Sequence, residues 1–202
     1  IASSLVGSEM CIRDSNNIAP LIRIPEVNYN YVARALDLGA AGIMAPMVNT
    51  YEEALKIVQS SKYPPKGVRG AGFGFAHDNY KNEGPLNYID KANNNLINII
   101  QIESKVALEN VEKIAAIDGV DCLWVGHFDL TNFLGIPGQF SSEIYLNAIN
   151  RVVAAAKLNK KSLGIMVNNH DELKMYSNIG FNMIAVGTEM SILSRSISQI
   201  LQ

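Results

Sequence analysis

The sequence predicts an α/β fold built on a parallel sheet, and three observations carry that prediction. From Pro20 onward, short apolar runs alternate with longer amphipathic ones. One short run, Leu96 to Ile102 (LINIIQI), is almost continuously apolar, the pattern of a strand covered on both faces. No Gly-x-Gly-x-x-Gly run opens a helix after the first strand, which argues against a dinucleotide-binding variant.

Taken in order, residues 20–24 (PLIRI) read as a strand and residues 29–38 as a helix stopped by Gly39. Residues 42–48 form a second strand. Thr50 is placed to cap the next helix, and Glu53, three residues on, completes a capping box. That helix ends near Ser61, before Pro64-Pro65. Residues 66–95 are rich in glycine and asparagine and only weakly periodic, so they read as one long loop, a feature that in a compact domain usually serves function. Strands follow at 96–102, 122–125, 162–167 and 182–186. Helices are expected at 105–117, 142–159, 171–179 and 192–201. Six βα units imply right-handed crossovers and a parallel sheet. They suit a doubly wound open sheet and an incomplete barrel equally.

Composition narrows the function classes. The chain has 202 residues, 48% of them hydrophobic and 18% charged, an ordinary globular balance for one domain. A net charge of -2 gives no nucleic-acid surface. No apolar run is long enough to span a membrane. Two cysteines, Cys11 and Cys122, make neither a disulfide framework nor a zinc site. A cytoplasmic protein is expected. Residues 1–15 (IASSLVGSEMCIRDS) lack strand alternation, a helical period and the layout of a signal peptide. Their run SLVGSEMCIRDS resembles translated adapter sequence, so they are set aside as a non-native or disordered leader, with the folded domain at 16–202.

In parallel α/β folds, reactive groups collect where the strands end. The polar residues expected there are Arg23, Gln101, Glu103, Asp129 and the Asn168-Asn169-His170 run. Glu103 closes a very apolar strand, and a carboxylate in that position needs a partner. Asp129 lies just past the neighbouring strand, about 5 Å away across a parallel pair. Two carboxylates, with water and substrate oxygens, suit Mg²⁺ or Mn²⁺; Glu103 could equally pair with a lysine or cap the following helix. Arg23 could clamp a carboxylate or a developing enolate, or pair with a loop acid. Asp37, late in a helix, reads as a solvated surface acid. His77, His127 and His170 are each ambiguous.

Together, PLIRIPE, LDLGAAGIMAPMV, YPPKGVRGAG, IIQIES, ALENVEKIAAIDGVD, WVGHFDLTNFLGIPGQF and MIAVGTEM resemble the HpcH/HpaI aldolase family, the 2-oxo-4-hydroxy acid aldolases grouped with citrate lyase β-type enzymes. The likeness covers residues 18–202. It implies a TIM (β/α)₈ barrel, here with six of eight strands present and the first two missing. It also implies class II aldol chemistry on a small 2-oxo acid and an aldehyde, through a pyruvate enolate and a divalent cation (Mg²⁺ or Mn²⁺, with Co²⁺ a further candidate). Glu103 and Asp129 match the metal ligands, Arg23 the group that stabilises the enolate, and Gln101 a substrate contact. Phe128 and Asp129 match the positions whose backbone amides meet the substrate carboxylate. Asp37 matches an acid that raises the basicity of the family's catalytic histidine. A homo-oligomer, a hexamer in the family, is implied too.

Two departures stand out. Gly126-His127-Phe128-Asp129-Leu130-Thr131 replaces the family's Gly-Pro-Ala-Asp-Leu-Ser-like run, and the bulkier Phe128 is placed to narrow the pocket. The family's Asp-x-x-His-type pair, ahead of the PLIR strand, has no counterpart, so the general base is unassigned and His127 does not replace it. The truncated chain is accordingly expected to be inactive. Two rival readings share part of this pattern: a lyase of the malyl-CoA or citramalyl-CoA type, and a catalytically inert fragment.

Overall fold

A computed structural model describes residues 16, 18–78, 80 and 84–201. The expected leader at 1–15 lies outside the described residues. The described residues form one six-stranded sheet in the order β1 (Leu21–Arg23), β2 (Gly42–Ala45), β3 (Ile97–Ile102), β4 (Cys122–Val125), β5 (Ser162–Val167) and β6 (Met183–Val186). Every neighbouring pair is parallel. Sequential order without reversal is barrel topology rather than the doubly wound alternative, whose strand order reverses at a switch point. The sheet is an arc of an incomplete TIM-type barrel.

Helices return the chain between strands: α1 (Tyr29–Asp37), α2 (Tyr51–Ser61), α3 (Pro85–Asn95), α4 (Lys105–Glu109), α5 (Val111–Ala115), α6 (His127–Phe133), α7 (Glu143–Leu158), α8 (His170–Ile179) and α9 (Glu189–Ile200). Their starts are chemically marked. Asn28, Ser104, Ser142 and Asn169 each accept a first-turn N–H with the side chain. Thr50 and Glu53 form the capping box their spacing predicts. Gly180 closes α8 at φ +114°, a conformation that costs glycine little.

Strand alternation sorts the residues onto two faces. Ile43, Ile100, Ile102, Leu123, Val125, Leu163 and Ile165 turn outward and are fully or almost fully buried in the main core with Val32, Ile57, Ile114, Tyr145 and Val152 of the helices. Burying each such side chain contributes about 1.5–3 kcal/mol. Ile99, Cys122 and Trp124 turn inward and form a second, smaller cluster with Met44, Met166 and Met183. Trp124 lies against Gly164, where an added Cβ would sit 2.3 Å from the indole Cε3. The outer strands are less covered: Leu21 of β1 and Val186 of β6 are exposed, and α9 buries none of its residues.

Two local expectations are corrected. Residues 66–95 are not one loop: α3 occupies Pro85–Asn95, with Pro85 pre-set for a first helical turn, and Ala76–Asp78 form a 3₁₀ turn. Asparagines hid that helix because their local propensity is poor. The single helix expected at 105–117 is two, broken at Asn110, whose side chain bonds backbone oxygens of Val106 and Asn49. A further helix, α6, starts directly after β4, so Phe128 and Asp129, expected just past that strand, lie in its first turn.

Candidate active site

The inward column of β3 runs Ile97, Ile99, Gln101 and, one step past the strand, Glu103. Gln101 and Glu103 are both buried, and their polar ends converge with groups from three other strand ends. Arg23, the last residue of β1, donates from Nε to Gln101 Oε1 at 2.8 Å. That bond passes over β2, which separates β1 from β3 in the sheet, so it lies on the concave face.

Glu103 is 2% exposed, and two contacts hold its carboxylate. The Met47 amide, just past β2, donates to Oε1 at 2.7 Å. Gly126, just past β4, presents no side chain: a Cβ there would lie 2.4 Å from Oε2 and 2.7 Å from the Glu103 Cβ. Met47 delivers its N–H from φ +50°, a left-handed conformation costing a non-glycine residue about 1–2 kcal/mol. Burial pushes the Glu103 carboxyl above its usual range and the Asp129 charge adds to the rise, while the Met47 N–H and Arg23 oppose it. Asp129, exposed in the first turn of α6, and Arg23 thus belong to one electrostatic neighbourhood with Glu103. Gly126 caps α6 without a side-chain bond. Phe128 is half exposed on the same turn.

Among the described residues no three His, Cys, Asp or Glu side chains cluster as a metal cage. A cation here would draw on the two carboxylates, with water or substrate oxygens completing its shell, which is how Mg²⁺ is commonly held. The donor set fits such an ion: a buried carboxylate with one oxygen tied by an amide and the other packed against Gly126 without a hydrogen-bond partner among the described residues, and a second acid close enough to raise its pKa.

The other named residues fall elsewhere. Asp37 ends α1, which carries the chain back to the rim where strands begin, so it does not join Arg23 and Glu103. It pairs there with Arg69 at 2.7 Å. The Arg69 guanidinium is buried and stacks over the Tyr63 ring at 4.6 Å. A cleft of about 390 Å³ next to this pair is lined by Asp37, Phe75 and His77, apart from the Glu103 rim. His127 is packed against Phe128 and Phe140, ring centroids 4.6 and 5.1 Å away, and burial lowers its pKa. His170 opens α8. Met47, Gly126 and Arg69 were not singled out from sequence. All three stood in noted motifs, but an amide direction, a missing Cβ and a long-range ion pair leave no compositional signal.

The HpcH/HpaI aldolase/citrate lyase family model matches residues 5–196. The hydroxypyruvate/pyruvate aldolase of Deinococcus radiodurans is 34% identical over 183 residues, covering 89% of this chain and 64% of that protein. The 5-keto-4-deoxy-D-glucarate aldolase of Salmonella paratyphi C is 32% identical over 199 residues, 98% of this chain and 76% of that one. This chain therefore spans less than two thirds of the Deinococcus aldolase. The crystal structure of an HpcH/HpaI aldolase/citrate lyase family protein from Burkholderia cenocepacia superposes with a TM-score of 0.92 at 32% identity, over 100% of this chain and 80% of that one.

Proposed function

The chain belongs to the HpcH/HpaI aldolase/citrate lyase family, and from that premise we propose that it derives from a class II aldolase that makes or breaks the carbon–carbon bond of 2-oxo-4-hydroxy acids. The observation that carries this reading is the meeting of Glu103, the Arg23–Gln101 pair and Asp129 at one rim of the sheet.

In this reading Glu103 and Asp129 hold a divalent cation such as Mg²⁺ or Mn²⁺. When bound, the cation supplies Lewis acidity to a 2-oxo acid. Arg23 places a permanent positive charge where negative charge develops on the keto oxygen during bond cleavage. Gln101 orients that guanidinium by accepting from Nε, which leaves its terminal amino groups for substrate. The first-turn amides of Phe128 and Asp129 meet the substrate carboxylate, aided by the positive end of the helix dipole. Phe128, half exposed beside them, limits the width of the aldehyde that fits. The proton-transferring base is not assigned among the described residues. His127, wrapped in aromatic rings, keeps a packing role. The protein acts on small molecules as a homo-oligomer.

The test is pyruvate release from a panel of 2-oxo-4-hydroxy acids with Mg²⁺, Mn²⁺ or Co²⁺, before and after chelation, alongside direct Mn²⁺ titration. The expected result is cation-dependent release in the parent protein. Glu103→Gln should lose release by 10²-fold or more, on the order of one well-placed charge-stabilising group, and lose Mn²⁺ binding as well. Unchanged Mn²⁺ binding in Glu103→Gln would overturn the cation assignment.

A further inference from the structure

Resting on the cation reading above, we propose that Asn49 is a positioning residue for the Glu103 carboxylate, acting through the Met47 amide. Asn49 lies two residues past Met47, in the loop between β2 and α2. All four hydrogen-bonding functions of this residue are engaged. Its Nδ2 donates to the Met47 carbonyl at 3.0 Å. Its Oδ1 accepts from the Ser104 hydroxyl. Its backbone oxygen accepts from Asn110 Nδ2 at 3.0 Å, and its own N–H donates to Glu53 Oε2 at 2.6 Å.

The geometry has a direction. Ser104 follows Glu103 in the chain and caps α4 with its hydroxyl, so it is fixed to the β3 end. Asn49 docks on that fixed point and grips Met47 from behind. Met47 sits at φ +50°, a state a methionine leaves unless its surroundings over-determine it. The grip on the Met47 carbonyl keeps its N–H turned to Glu103 Oε1 at 2.7 Å. With Oε1 tied, Oε2 is left on the side of Gly126, where the missing Cβ leaves it room. A ligand carboxylate with one oxygen held by an outer partner is pre-aimed, and losing such a partner typically weakens metal binding 10–100-fold.

The experiment titrates the protein with Mn²⁺, read by the loss of the free-ion electron paramagnetic resonance signal, with circular dichroism confirming folding. Asn49→Ala is expected to bind Mn²⁺ about tenfold more weakly. Arg151→Ala, on an exposed pair remote from the site, is expected to stay within about twofold of the parent. A loop staple of purely structural effect would instead shift the melting midpoint and leave affinity alone. Should Asn49→Ala fail to fold, Asn49→Ser is titrated in its place, with weaker binding again expected. Affinity unchanged in the Asn49 variant while Glu103→Gln abolishes binding overturns the positioning role and leaves the cation site standing. A loss in Arg151→Ala equal to that in Asn49→Ala shows a general loss of folded protein and overturns the positioning role. Parent-like binding by Glu103→Gln overturns both the site and this inference.

Discussion

The two faces of the same six strands have been put to different uses. The convex face carries Ile43, Ile100, Ile102, Leu123, Val125 and Ile165, sealed under helices and free of charge. The concave face carries a small apolar patch around Trp124 and then, at the strand ends, Arg23, Gln101 and Glu103. Period-two alternation produces both from one run: in INIIQI and the glutamate beyond, the even positions after Asn98 feed the core and the odd ones lead to Glu103. The lesson is that stability and chemistry occupy alternate residues of one strand, so each can be disturbed with the other left in place.

The sharpest way to break that comparison is on the convex side. Ile100 is fully buried. Ile100→Ala is expected to cost about 2–5 kcal/mol of unfolding free energy in urea, with Mn²⁺ affinity of the folded protein within about twofold of the parent. A matching fall in affinity would mean the two faces are coupled.

The concave counterpart is Gly126→Ala. Its backbone, at φ -84°, tolerates a side chain, but the Cβ would meet Glu103 Oε2 at 2.4 Å. The carboxylate must rotate away and the Glu103 Cβ, 2.7 Å off, must shift with its backbone, so Mn²⁺ affinity is expected to fall about tenfold, equivalent to ~1.4 kcal/mol of binding, and the melting midpoint to fall with it. Retained affinity would show that Glu103 does not need that space.

The smallest effect belongs to a surface that serves neither face. Arg151 binds Glu112 through Nε at 2.7 Å and NH2 at 3.0 Å, and both side chains are well exposed. Arg151→Ala is expected to cost about 0.2–1 kcal/mol. The Arg151 hydrogen bond holds the Glu112 carboxyl below its ordinary value of 4.5. The stabilisation is therefore fully present above about pH 4.5 and fades as pH falls through the lower folded value. Parent and variant should converge in stability under acid, which thermal melts across a pH series would check.

Much of this was written into the chain locally. The six βα units, the Thr50–Glu53 capping box and the choice of Arg23, Gln101, Glu103 and Asp129 as strand-end polar groups all follow from signals spanning a few residues. Periodicity reports which face a residue takes, and a cap reports where a helix starts, because both arise from neighbours in sequence. Local signals failed where asparagines carry α3 and where Asn110 breaks a helix to bond Asn49, 61 residues earlier.

Periodicity left an incomplete barrel and a doubly wound sheet open; the family resemblance pointed to the barrel, and the strand order, a property of long-range pairing, shows it. The tertiary structure alone sent Asp37 to Arg69, set the Met47 amide on Glu103 across 56 residues of chain, and packed Glu103 Oε2 where a Gly126 side chain would stand. Those features depend on backbone direction and on close approach. Neither is a property of a residue type: each is decided by what packs on the far side, and no window of sequence contains that.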